Sequence, residues 1–386
     1  MNVLFLSPHF PPNWFRFVVG LRKAGATTLG IADQPWELLR PELRDSLDEF
    51  YQVEDLGDHE QLTRAIGWLI HKRGMIDRID SLNEHWLEIE ARLRTDFNIP
   101  GLDDRTIAAV KRKSLMKKRF VAAGIPVARG RVCRTPESLR RWIAEVGYPV
   151  VAKPDVGVGA AQVYKLENDA DVERYVHEKP AIDYIVEEFV EGQIVTYDGL
   201  AGKQGEICFD SSFIYSHGVM ESVNNRVDLY YWISREIADD VRATGRAMAR
   251  AFDVRERPFH FEMFRLDDGR LVALEVNMRP AGGLSVDMIN FANDLDFYEQ
   301  WANIVVRGEF DAPVTRPYAC LYVMRRDGRP YSRSHDEVMA AFGDLVILEA
   351  RMDRMFAAAM GDHAYVLRGP DERVLIDAAQ QIQALA

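Results

Sequence analysis

Two acids and an amide stand at alternating positions in one stretch of the chain, with a histidine before them and an arginine after. The stretch runs His260-Phe-Glu-Met-Phe-Arg-Leu-Asp-Asp-Gly-Arg-Leu-Val-Ala-Leu-Glu-Val-Asn-Met-Arg279. It reads as two strands joined at Asp268-Gly269. A two-residue turn there pairs Asp267 with Arg270. Counting outward then sets Glu262 opposite Glu275 and His260 opposite Asn277. Side chains alternate faces along a strand, so Glu262, Glu275 and Asn277 share one face. Opposed carboxylates lie about 5 Å apart. At an effective dielectric of about 20 they repel by roughly 3 kcal/mol. Such a pair persists if a cation sits between the acids or one of them is protonated. Oxygen-only ligands favour Mg2+ or Mn2+, and Mg2+ shells are commonly completed by substrate phosphates. The alternative is an exposed hairpin with solvated acids, and a one-residue slip of the turn would put the acids on opposite faces.

Further upstream, Tyr148-Pro-Val-Val-Ala-Lys-Pro154 places Lys153 at the end of a buried strand. A lysine there either reaches solvent or meets a buried anion. Asp155-Val-Gly-Val-Gly-Ala-Ala161 follows, and Gly157 and Gly159 permit a backbone that bends around phosphates. No Gly-Lys-Ser/Thr follows, so this is not a helix-opening phosphate loop. Ile185-Val-Glu-Glu-Phe-Val-Glu-Gly192 is a strand running into an acidic turn. It is either a strand with solvent-facing acids or a hinge that grips a base and ribose. A basic helix carries Val110-Lys-Arg-Lys-Ser-Leu-Met116.

In order and spacing, this set resembles the ATP-grasp superfamily, most closely its carboxylate–amine ligase branch, from about Arg105 to Gly308. The resemblance implies that Lys113 is the first phosphate lysine, with Lys111 or Lys117 as alternatives. It implies that Lys153 is the second, and that residues 155–161, with Gly157, Gly159 and Ala160, form the loop over the triphosphate. Glu187 would accept from the adenine amino group. The backbone of Glu188, Phe189 and Val190 would read the ring edge. A ribose-binding acid is expected just past the hinge; Glu191 is available, whereas Gln193 follows Gly192. Glu262, Glu275 and Asn277 would hold one or two Mg2+ ions, Mn2+ being the alternative. Arg279 would stabilise an acyl phosphate and its tetrahedral successor, making Arg279 and Lys153 the catalytic cations. The implied activity is ATP-dependent amide formation between a small carboxylate and an amine, such as amino acids. A purine-type or carboxylation ligase and a catalytically silent ATP-binding module are the other readings.

For the acceptor site, Ser216 to Trp232 is a polar and aromatic stretch. His217, Arg226, Tyr230 and Trp232 are candidates to line it, Arg226 by pairing with a carboxylate or else as a surface loop residue. Gly282 and Gly283, after Arg279, permit close substrate approach.

These residues need elements to position them. Val3–Leu6 and Leu29–Ala32 read as strands and Asn13–Ala24 as a helix. His59–Lys72 and His85–Phe97 are helical, with a strand at Ile79–Leu82 between them. The alternation predicts a doubly wound parallel sheet. Ser7-Pro8-His9-Phe10 stands where a dinucleotide glycine motif would be, so no such site is expected. Ser7, Asn83 and Glu84 sit at the strand ends that face a crevice. The spacing predicts one helix over Asp104–Ala123, helices at Pro136–Val146 and Ser285–Asn293, a strand near Glu206–Ile214, and a terminal helix at Asp371–Leu385. The resulting class is α/β with an α+β C-terminal part. It divides into an N-terminal unit (1–103), a nucleotide-gripping lid with linker helix (104–190), a catalytic core (191–310) and a small C-terminal unit completing it (311–386).

At 386 residues the chain has room for two or three such units. A net charge of −12 argues against nucleic-acid binding. The three cysteines show neither metal-ligand spacing nor a disulfide framework, which fits the cytoplasm. No signal peptide or membrane span is expected. The reading allows a homodimer.

Overall fold

In the computed structural model, which describes residues 1–157, 162–218, 222, 226–353 and 357–386, three sheets carry the chain. The first is parallel, in the order Glu49–Gln52, Thr27–Ala32, Asn2–Leu6, Arg78–Asp80. Its strands are short, and all but the half-exposed edge strand Glu49–Gln52 are largely buried. The helix Phe15–Ala24 stops at Gly25, which takes φ 98°. Its inner face packs on the helix Phe297–Arg307, with the Phe17 and Tyr298 rings 4.7 Å apart. The N-terminal unit is thereby fastened to the rest of the molecule.

A four-stranded antiparallel sheet follows, ordered Gly130–Val132, Tyr184–Glu188, Val150–Pro154, Tyr164–Leu166. Its helix Pro136–Val146 has the bounds the sequence predicts. Thr135 and Ser138 form a capping box, Pro136 opens the first turn and Gly147 ends the last. The third sheet is the largest. Leu271–Asn277 and Pro258–Arg265 lie at one end, followed by Gln193–Ala201, Phe213–Tyr215, Tyr230–Ile233, Ala319–Arg325, His363–Gly369 and Val346–Arg351. Strands from beyond residue 311 therefore extend the same sheet that holds the acid hairpin.

Three expectations about elements change. The single helix predicted over Asp104–Ala123 is two, Ile107–Lys111 and Lys113–Ala122. Arg112 between them is extended (φ −94°, ψ 113°) and bridges to Val156. The strand expected near Glu206–Ile214 is split into Ile207–Ser211 and Phe213–Tyr215, and the Phe213 N–H donates to Thr196 Oγ1 instead. The stretch expected to be a substrate loop up to Trp232 ends in a strand, Tyr230–Ile233, hydrogen-bonded on both sides. Tyr230 and Trp232 pack towards the C-terminal helix, and Tyr231 into the opposite core.

Candidate active site between the lid and the acid hairpin

The hairpin reaches its expected register by an unexpected route. Leu266 N–H donates to Arg270 O, so the loop is the three residues 267–269, with Gly269 at φ 85°. That is one residue more than a two-residue turn and shifts the ladder to Phe264↔Val272 and Met263↔Ala273. A bulge then leaves Leu274 without a partner, and beyond it Glu262 faces Glu275 and His260 faces Asn277. The bulge cancels the shift made by the turn. Leu274 and Glu275 consequently both face the cavity, although they are neighbours in sequence.

The cavity has a volume of about 680 Å³ and lies between the lid sheet and this hairpin. Glu262, Glu275, Asn277 and Arg279 line one wall. Lys113, Lys117, Lys153 and Gly157 line another, with the hinge residues from Glu187 to Gly192. The break at Arg112 positions Lys113. The Lys113 N–H donates to Asp155 O (2.8 Å), and the Asp155 carboxylate takes the Ser114 N–H (2.8 Å) and hydroxyl (3.0 Å). Lys113 Nζ reaches Gly157 O at 3.0 Å and Glu275 Oε1 at 3.2 Å. Lys117, one helical turn on, places Nζ 2.8 Å from Glu187 Oε1. Lys111 faces elsewhere: its Nζ is 2.9 Å from Glu84 Oε1 and does not line the cavity.

Charges within the wall are matched. Burial pushes the Glu187 carboxyl up, but Lys153 and Lys117 outweigh it and hold the group below the usual carboxylate range. Burial depresses the Lys117 ammonium, against the pull of Glu187. Burial also works against Lys153, yet Glu187, Glu275 and Glu262 together leave it above the usual lysine value.

Glu262 has a partner that the sequence argument did not use. His260 Nε2 is 3.1 Å from Glu262 Oε1, and its Nδ1 is 2.7 Å from Asp198 Oδ1 on the adjoining strand. Burial opposes the imidazolium, but Asp198 and Glu262 push the imidazole up to about 9. His260 is therefore charged at neutral pH and donates to both acids. This corrects the argument that the opposed acids require an ion between them. Lys113 beside Glu275 and His260 beside Glu262 already supply a cation to each. The sequence signal was present in the alternation of His260 with Glu262.

The donor set still fits a hard dication: two carboxylates and the amide oxygen of Asn277 line one wall. Buried Asn277 accepts from Arg279 Nη2 at 3.3 Å, while its own Nδ2 has no hydrogen-bond partner among the described residues. Arg279 is steadied by Glu84, Nε to Oε2 at 3.5 Å, and by Pro280 O at 2.8 Å. Glu84 lines the cavity, as its strand-end position suggested.

Other candidates fall differently. Glu188 lines the cavity, but its carboxylate is held by the Arg129 N–H and Nε, both at 2.8 Å. Phe189, Val190 and Glu191 line it too. Gln193 does not; its side chain donates to Tyr215 O at 3.2 Å. Arg226 and Gly282 are exposed and off the wall; Gly283 (φ 64°), half-buried and also off the wall, lies against Met360. His217 bonds Ser216 Oγ through Nδ1 (3.0 Å), and its neighbour Gly218 is the residue on the wall. Gly159 and Ala160 lie outside the described residues.

Residues 146–287, which span three of the four strands of the smaller antiparallel sheet, the hinge and the hairpin, match the sequence model of the ATP-grasp domain. The chain is 25% identical over 269 residues to an L-arginine-specific L-amino acid ligase of Bacillus subtilis, covering 67% of this chain and 64% of that protein. It is 24% identical to the uncharacterized protein y4rH of Sinorhizobium fredii, over 59% of this chain and 48% of that one. The chain thus spans less than two thirds of the length of these curated relatives. Among solved structures, an L-amino acid ligase from Bacillus licheniformis superposes with a TM-score of 0.74 at 16% identity, covering 99% of this chain and 96% of that one. An N5-carboxyaminoimidazole ribonucleotide synthetase in complex with ADP gives 0.73 at 14% identity, with the same coverage. The fold is shared over 99% of the chain, and the ATP-grasp domain match over residues 146–287 includes the hinge and hairpin walls of the cavity.

Proposed function

We propose that the protein is an ATP-dependent carboxylate–amine ligase acting on amino acids or similarly small carboxylates. The observation that carries this is the pairing of four cations, Lys113, Lys117, Lys153 and Arg279, with three oxygen ligands around one cavity. A triphosphate would take the lysines, and the adenine edge would lie along the backbone from Glu188 to Val190. The Glu187 carboxylate keeps acceptor capacity beyond its two lysines, so an adenine amino group is a third donor to it. Glu191, on the cavity wall, is the ribose acid of this reading.

A substrate carboxylate attacks the γ-phosphorus, giving an acyl phosphate and ADP. The amine then attacks the acyl carbonyl, loses a proton and expels phosphate. Lys113 and Lys153 would neutralise charge on the transferring phosphoryl group, and Arg279 would bind the oxyanion of the tetrahedral intermediate. Glu262, Glu275 and Asn277 would hold Mg2+, which when bound adds charge neutralisation at the phosphate oxygens. For that, Lys113 must let go of Glu275, and the triphosphate offers it a better partner.

The Bacillus subtilis relative, an L-arginine-specific L-amino acid ligase, supports an amino-acid substrate. The test is phosphate release from ATP and Mg2+ with pooled amino acids, followed by mass spectrometry of the product. A dipeptide-mass product supports the ligase. A second reading, a purine-type ligase, is favoured by the nearly equal fold likeness to the ribonucleotide synthetase; release only with bicarbonate and an aminoribotide would replace the first reading with it. Cys133, Cys208 and Cys320 are all free, which supports a cytoplasmic site of action. No described helix is long and apolar enough to cross a membrane. A homodimer belongs to the same reading, and light scattering of the purified chain tests it.

A further inference from the structure

Off the cavity, two histidines and a glutamate from three elements converge at the far end of the large sheet. His363 opens the strand His363–Gly369. Glu349 stands on the edge strand Val346–Arg351, opposite Tyr365 and one diagonal step from His363. His335 is the first residue of the helix His335–Phe342, held there by the Ser334–Glu337 capping box. One ligand-type atom from each of the three lies within 4.8 Å of the other two. His363 Nε2 bonds the Glu349 carboxylate, and the two imidazole centroids are 5.1 Å apart.

The buried Tyr365 hydroxyl sits 2.9 Å from His335 Nδ1 and 3.4 Å from His363 Nδ1. A hydroxyl oxygen has two acceptor lone pairs, so it can take an N–H from each ring. With Nδ1 of each ring on that hydroxyl, Nε2 is the nitrogen left for an ion, and on His363 the ion would displace the proton that now bonds Glu349. Metal-ligating histidines are usually oriented in this way, through a bond to the ring nitrogen that does not face the ion.

We propose that His335, Glu349 and His363 bind a transition-metal dication of the zinc class at a site separate from the cavity. Two imidazoles and one carboxylate suit zinc-class ions, whereas the oxygen-only set of the cavity suits Mg2+. Three protein ligands leave a fourth tetrahedral position for water. The ion would tie the sheet's edge strand to the start of a helix, at a place where an edge is otherwise free to pair with another chain.

The test is equilibrium dialysis of the full chain against micromolar Zn2+ in the presence of millimolar Mg2+, with bound zinc counted by mass spectrometry. One zinc per chain is expected. His335→Gln and His363→Ala should each abolish it, and Tyr365→Phe should weaken it about tenfold through the lost orientation of both rings. His335 is exposed at a helix start, so its variant keeps the fold, checked by circular dichroism. Glu262→Gln should retain the zinc. No zinc on the wild-type chain, zinc retained by the His335→Gln/His363→Ala double variant, or zinc lost in Glu262→Gln would each overturn the proposal.

Discussion

Lys153 and Glu187 meet across neighbouring antiparallel strands, with Nζ 2.6 Å from Oε2. They are a diagonal pair, since Lys153 faces Ile185 and Glu187 faces Val151. Lys117 takes the other carboxylate oxygen at 2.8 Å. One buried acid therefore aims two ammonium groups along the cavity wall. Replacing it by Glu187→Gln removes the carboxylate that both ammonium groups contact directly, leaving Lys153 only the charges of Glu275 and Glu262 and Lys117 only that of Glu188. Loss of a partner from a buried ion pair costs about 3–5 kcal/mol, and urea denaturation should show a loss of that size. A change below about 1 kcal/mol would mean that water already solvates the two lysines.

Lys113 and Lys111 are two residues apart and serve different groups, because the chain is extended at Arg112. Lys113→Met should weaken ATP binding at least about tenfold, equivalent to about 1.4 kcal/mol. Lys111→Met should change ATP affinity less, because Lys111 stands behind Glu84 and does not itself line the cavity. Calorimetric titration of both variants decides it; equal losses would contradict the placement of the break.

Arg279 touches Asn277, Pro280 and Glu84, and faces the cavity. If its role is to bind charge that develops during acyl transfer, Arg279→Ala should lower kcat about a hundredfold or more while ATP affinity stays nearly constant. A variant that loses ATP binding but keeps kcat at saturation would remove Arg279 from the chemistry.

Gly199 lies on the central strand Gln193–Ala201, one residue past Asp198, which orients His260. A Cβ there would sit 2.1 Å from Phe209 O, a backbone atom that cannot rotate away. Gly199→Ala should cost about 1–3 kcal/mol, as overpacking does, and lower the thermal midpoint. An unchanged midpoint would show that the two strands separate freely.

Asp48 ties three pieces of the first sheet together. It accepts the Thr28 N–H at 2.9 Å and Arg22 Nη1 at 2.5 Å. Burial pushes its carboxyl up, but these donors prevail and hold it below the usual aspartate range. A depressed folded-state value means the stabilisation is present above the unfolded aspartate value and is lost as pH falls through the folded one. Asp48→Asn should therefore cost about 1 kcal/mol at neutral pH, and the gap to wild type should close in acid. Denaturation curves at several pH values measure it; a constant gap would point to packing instead of charge.

From sequence alone, the local periodicities, the caps and the order of the motifs were determined. Thr135, Pro136 and Gly147 bound a helix wherever it packs, because capping is decided within a few residues. The opposition of Glu262 and Glu275 was also legible, although the turn was counted one residue short. The bulge at Leu274 restored the register, and nothing local marks a bulge in Ala-Leu-Glu. Only the tertiary structure decided which lysines reach the cavity, that His260 is the cation beside Glu262, and that Arg226 and Gln193 stand off the wall. Each depends on contacts between strands and helices far apart in the chain. The helix break at Arg112 is set by Val156, more than forty residues away, and hydrophobic periodicity carries no trace of such a partner.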